Sequence, residues 1–198
     1  LPAEEPLRAE VRDVMPLFTS LGSVYFIGEI VNTGQRSIAK PEIIVVLRDA
    51  KGDPLLFETG YPIHDIVQPG EVVPVVVLFT DPPPVWYSFS AYIQARIPTG
   101  REFMTYTAFA YDDVEISKDE FSYFIFTGNV ENIGPSKAEF AQAVVSLYDE
   151  NDKLVATNSA YVEHNTLDPG ARSPFTVRVT NVLAPAAYYR LQFVAHAR

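Results

Sequence analysis

The stretch "FIGEIVNTG", Phe26 to Gly34, returns one hundred residues later as "FTGNVENIG", Phe126 to Gly134. The shared skeleton is F-x-G-x-x-x-N-x-G. Slid by 100 positions without gaps, Val24–Thr80 and Phe124–Thr180 are identical at 14 of 57 positions. The matches include Gly28/Gly128, Asn32/Asn132, Gly34/Gly134, Leu47/Leu147, Asp49/Asp149, Tyr61/Tyr161, His64/His164, Pro69/Pro169 and Gly70/Gly170. With two residues inserted, "YSFSAYIQAR" (Tyr87–Arg96) lines up with "YRLQFVAHAR" (Tyr189–Arg198). A fixed period of this length marks a tandem duplication, and a unit near 95 residues buries enough surface to fold alone. Residues 1–98 are read as the first domain and 99–198 as the second, joined at "RIPTGREF" (Arg96–Phe103), where Pro98 and Gly100 set a turn.

Both copies alternate with period two. Phe124, Phe126, Gly128 and Val130 share one phase, and Thr127, Asn129 and Glu131 take the other. Phe175, Val177 and Val179 likewise alternate with Thr176 and Arg178. Such alternation makes half-buried strands. The breaks recur too: "NTG" and "NIG" end a strand, "DAKGD" and "DENDK" form hairpin turns, and "QPG" and "DPG" start a strand. Six or seven short strands per copy predict an all-β chain of two tandem Ig-like, fibronectin III-like sandwiches, with a small barrel as the alternative. On this reading the opening stretch is structural. Phe26/Phe126 and Ile30/Val130 fill the core, Gly28/Gly128 leaves room for a bulge or close packing, and Asn32 and Gly34 start a turn.

The second copy's "GNVENIG", "VSLYD" (Val145–Asp149) and "TLDPG" (Thr166–Gly170) resemble the bacterial FxLYD domain and related cell-surface sandwiches. Val145 stands where that motif has Phe. The first copy departs further, with "VVLRD" and "VQPG". The resemblance implies an extracytoplasmic, non-catalytic accessory module.

Composition narrows function. The 15 basic and 25 acidic residues give a net charge of −10. The split is 7 against 12 up to position 98 and 8 against 13 after it, so each half carries −5. Without clustered Lys and Arg, neither nucleic acid nor an anionic membrane surface is an expected partner. No cysteine is present, so disulfides and thiolate metal sites are excluded. The longest apolar runs fall far short of the roughly 18 residues of a membrane helix. The polar start "LPAEEPL" suits a segment following a cleavage site, so a secreted or envelope location is expected.

No nucleophile elbow, P-loop or dinucleotide fingerprint is present. The residues that recur are turn and core formers, so no catalytic residue, cofactor or enzyme activity is expected. His64 and His164 share a register, but no second His lies near either, and zinc needs three or four converging ligands. Both are read as loop residues bonding backbone. "YDDVEISKDEF" (Tyr111–Phe121) is a weak cation candidate through Asp112, Asp113, Glu115, Asp119 and Glu120; its structural reading is a solvated strand and loop. Trp86, the only Trp, and Tyr92 share a phase opposite to Tyr87, Phe89, Ala91 and Ile93. Such a pair is suited to stacking on a sugar ring; its structural reading is Trp86 capping the sandwich under Pro82–Pro84.

The copies differ most in their outward phases. Ile27, Val31, Val76 and Leu78 stand opposite Thr127, Glu131, Thr176 and Arg178. Ile44 and Val46 extend the bias to the opposite sheet, against Val144 and Ser146. A solvent-facing apolar patch marks an interface, so these six residues are the expected contact surface for a protein partner or a second copy. The structural reading is that a bulge shifts the strand phase and buries them. The leading function is therefore a spacer or protein-interaction module. The alternative is a carbohydrate- or calcium-dependent ligand-binding module.

Overall fold

In a computed structural model, the sequence pattern becomes antiparallel strands throughout, with no helix among the described residues, which are 7–100, 102, 105–180 and 182–197. The polar start at 1–6 and connector positions 101, 103 and 104 lie outside them. No helix among the described residues is long and apolar enough to cross a membrane. The chain divides into two units, Leu1–Glu102 and Phe103–Arg198.

Unit 1 contains β1 (Ala9–Phe18), β2 (Val24–Asn32), β3 (Ile38–Arg48), β4 (Pro54–Gly60), β5 (Ile66–Val67), β6 (Val72–Phe79) and β7 (Ser88–Arg96). One sheet has the order β1-β2-β6; in the other, β3 lies between β4 and β7 and also pairs with β5. Unit 2 contains β8 (Thr105–Tyr106), β9 (Phe109–Lys118), β10 (Phe124–Asn132), β11 (Ala138–Tyr148), β12 (Leu154–Tyr161), β13 (Arg172–Val179) and β14 (Tyr188–Ala197). Its sheets are β13-β10-β9 and β12-β11-β14-β8. This is an Ig-like sandwich, repeated.

The ladders keep one offset of 100 from end to end. Ile27 pairs with Val76 as Thr127 pairs with Thr176, and Ile44 pairs with Tyr92 as Val144 pairs with Gln192. The two-residue insertion expected before the last strand is therefore corrected: hydrogen bonding, not side-chain similarity, fixes the register, and it matches Ile93 to Phe193.

Each unit has its own core, supplied by the inward phases. Phe26, Ile30, Val45, Leu47, Val75 and Val77 are buried in one, with Phe26 meeting Phe79 edge-on at 5.5 Å. Phe126, Val130, Val145, Leu147, Phe175 and Val177 are their counterparts.

The repeated glycines face bulges on the neighbouring strand. A Cβ on Gly28 would lie 2.9 Å from Val14 Cγ2 and 3.1 Å from the Arg12 carbonyl. One on Gly128 would lie 2.8 Å from the Phe175 ring and 2.9 Å from the Asp112 carbonyl. The bulge residues Asp13 and Asp113 both have φ of 53°, a left-handed conformation that a short polar side chain tolerates.

Asn32 is wholly buried at the end of β2. Its Nδ2 donates to the carbonyls of Arg36 (2.8 Å) and Val67 (3.0 Å), and its Oδ1 accepts from Gly34 N (3.0 Å). Asn132 repeats this with Ser136, Leu167 and Gly134, and also accepts from the Tyr106 hydroxyl at 2.7 Å. The Asn thus ties its own turn to the Q-P-G or D-P-G turn, 35 residues away.

Candidate functional site

The six expected contact residues separate into two groups. Ile27 and Val31 are 5% and 3% exposed, which corrects their expected place on an open patch. No phase shift buries them, because the β2–β6 register is unbroken and neither belongs to the core cluster. They lie on the middle strand of a three-stranded sheet. Ile27 is flanked by Met15 and Val76, Val31 by Glu10 and Val72, and such neighbours screen a middle strand from both sides. Val76 and Leu78, on the edge strand β6, remain exposed.

Ile44 and Val46 sit half-buried on the outer face of the other sheet, where the structure adds residues the sequence reading had not joined to them. Val46 is opposite Phe57 of β4, and Ile44 is opposite Tyr92 of β7. Phe57 is 63% exposed, and Tyr92 is exposed as well. Arg48 closes this face by donating to Ser90 Oγ at 3.0 Å and to the Tyr92 hydroxyl at 2.9 Å. The result is an apolar surface of Ile44, Val46, Phe57 and Tyr92 with a polar margin. The same positions in unit 2 hold Val144, Ser146, Thr157 and Gln192. Phe57 was detectable as the position where a strand of unit 1 replaces Thr157 with a large aromatic.

Trp86 and Tyr92 do not form a common platform. Trp86 precedes β7 and turns onto the sandwich end, where it stacks on Phe18 at 6.0 Å and meets Phe26 and Phe89 at 6.0 and 6.5 Å. Tyr92 lies on the outer face beside Ile44. Tyr87, expected inward, is exposed while Trp86 is partly buried: both lie outside the strand, where period two does not apply.

The acidic run does not gather either. Asp112 and Asp119 lie along β9 and its turn, and seven extended residues span about 23 Å. Asp112 is engaged by Arg172 at 2.5 Å, and Arg172 also lies 3.8 Å from Glu131. Asp119 caps the β9–β10 hairpin, accepting from Phe121 N and Tyr123 N at 2.9 Å, and pairs with Arg178. Asp113 is the bulge residue, 3.4 Å from Asn129 Nδ2. Glu115 and Glu120 are solvent-exposed. Among the described residues no three His, Asp or Glu side chains are placed to share a metal ion.

The duplicated histidines have separated roles. His164 is exposed, with its backbone N–H donating to Ser173 Oγ at 2.8 Å. His64 is buried, and its Nε2 lies 3.3 Å from Glu71 Oε1, where unit 2 has Ala171. A carboxylate thus faces His64, a partner the sequence reading had not given it. Burial lowers the His64 imidazole to about 4 and raises the Glu71 carboxyl. The unfolded chain takes up the imidazole proton near pH 6.5, and the folded one refuses it until about 4. Stability of unit 1 is therefore lost as pH falls through this window, by up to about 3 kcal/mol. Glu71 takes its own proton more readily when folded and offsets part of the loss. Denaturant unfolding followed by Trp86 fluorescence at pH 7 and pH 4 should show the drop, and His64→Gln should remove most of it. An unchanged drop in that variant would assign the pH dependence to other groups.

No family model matches the chain, and no curated protein matches it. Similar solved structures include a red sea bream transglutaminase, at 11% identity and a TM-score of 0.31, over 96% of this chain and 29% of that one. A Bacteroides uniformis β-glucuronidase follows at 13% identity and 0.28, over 87% of this chain and 24% of its own. The infectious bursal disease virus VP2 subviral particle gives 16% identity and 0.26, over 97% and 66%. The chain thus spans less than a third of the first two. At these scores nothing is carried over from them to this chain.

Proposed function

We propose that the chain is a non-catalytic, extracytoplasmic interaction module in which unit 1 carries the contact face for a protein partner and unit 2 presents it. One observation supports the contact face. Two copies with the same register and equivalent cores differ on the outer face of the β4-β3-β7 sheet. Unit 1 places Ile44, Val46, Phe57 and Tyr92 where unit 2 has Val144, Ser146, Thr157 and Gln192. Folding does not require Val46, Phe57 and Tyr92 to be apolar, because unit 2 folds the same way with Ser146, Thr157 and Gln192 there; Val144 alone keeps an apolar side chain, and it is buried. An exposed apolar face that the fold does not need is best explained by binding. The extracytoplasmic placement and FxLYD kinship rest on the "VSLYD" and "TLDPG" motifs. The absence of catalysis rests on recurring residues whose places are turns and cores.

A photo-crosslinking residue introduced at Phe57, with the chain expressed in its native cells, should form a discrete adduct. The same residue at Thr157 should form none. Equal labelling at the two positions, or none at Phe57, would remove the contact face from unit 1.

A further inference from the structure

Three loops close the end of unit 1 opposite the start of β1 and the end of β7, through which the chain enters and leaves the unit. They are the β1–β2 hairpin, the β3–β4 hairpin and the β6–β7 loop. Two of them carry large apolar side chains into solvent. Leu21, at the hairpin tip, is 91% exposed, and Phe18, Val85 and Tyr87 are each more than half exposed. They belong to one surface, because the Phe18 ring stacks on Trp86, which lies between Val85 and Tyr87. The core does not require them: Trp86 and Phe89 already cover Phe26 at this end.

We propose that this apolar crown inserts into the interfacial region of an electrically neutral lipid bilayer. Shape and charge both select this occupant. Protein hot spots gather in well-packed patches that meet a complementary pocket. Leu21 and Val85 instead stand out from loops at the end of the sandwich, 91% and 61% exposed, a form that a deformable medium accommodates. Leu, Phe and Val enter the acyl boundary, while Trp and Tyr favour the headgroup level. The charged residues of the three loops and their strand ends are Asp49, Asp53 and Asp81 against Arg48 and Lys51. With a net charge of −10 for the whole chain, anionic headgroups would repel this end. Unit 2 keeps an exposed aromatic at its hairpin tip, Phe121 at 63%, but not the rest of the crown. Its hairpin-tip Phe121 lies beside Tyr123 and under the Arg178 guanidinium, and Pro185 and Ala187 replace Val85 and Tyr87.

The single Trp makes the test direct. Vesicles of brominated phosphatidylcholine should co-sediment the full chain, shift Trp86 emission to the blue and quench it. Raising the salt concentration should change little, and adding phosphatidylserine should weaken binding. Leu21→Ser with Val85→Ser should lower the partition coefficient about tenfold while the melting temperature stays constant, since both side chains stand in solvent. Absence of quenching and co-sedimentation, binding that requires phosphatidylserine, or full binding by the double variant would each overturn the proposal.

Discussion

Asn132→Ala should destabilise unit 2 by about 3 to 5 kcal/mol, more than any surface substitution in the chain. The amide is saturated: two carbonyls, one backbone N–H and one phenol share its two polar atoms. Truncation leaves the Tyr106 hydroxyl and the Ser136 carbonyl without this partner and takes from the Leu167 carbonyl one of its two donors, the other being the Ala138 N–H. Asn32→Ala should cost about 1 kcal/mol less, because no phenol bonds Asn32. Tyr106→Phe supplies the control. In that background Asn132→Ala should fall to the cost of Asn32→Ala, as read from hydrogen exchange of strands β10 and β2. Equal costs for both Asn variants in the unaltered chain would mean that the phenol contributes nothing.

Val31→Glu should be nearly as damaging to unit 1, at about 3 kcal/mol or more. Unit 2 has Glu at the same register, but Glu131 is partly exposed and lies 3.8 Å from Arg172. Val31 is buried opposite Val72. A carboxylate there would lie between Glu10 and Val72, with little water. The companion change Val72→Arg recreates the unit 2 pair and should recover a substantial part of the loss in denaturant melts. If Val31→Glu alone is harmless, the outer side of β2 is open to solvent after all.

These two cases mark what can be read from the residues and what cannot. Period-two alternation assigns each side chain to a face, and the inward phases of β2, β3 and β6 are the core of unit 1. Alternation does not say whether the other face is wet. Ile27 and Val31 are outward yet buried, whereas Thr127 and Glu131 on the same middle strand of unit 2 stay partly exposed; the difference lies in which side chains flank them, and those pairings are not written in any local window. Asn32 is recognisable as a turn former from Gly34 two residues on, but its bond to Val67 depends on how β5 returns to β3. Trp86 and Tyr87 defeated the phase argument because they precede β7, in the loop that leads into it. The acidic run of β9 shows the reverse case. Its density invited a cation, yet an extended backbone separates the carboxylates, and Arg172 and Arg178 arrive from β13. The contact face was half legible: Ile44 and Val46 stood out against unit 2, but Phe57 and Tyr92 join them only through the β3–β4 and β3–β7 registers.

The uniform offset of 100 between the ladders also bears on how the chain avoids tangling with itself. Two halves that pair in the same register could trade strands while both are still assembling, with β10 entering the place of β2. The outer faces penalise that exchange. In the wrong half, Glu131 would meet Val72 and lose its guanidinium, and Val31 would stand opposite Arg172, which would keep Asp112 alone. Divergence on the surfaces therefore gives the two halves separate identities that their shared cores do not supply.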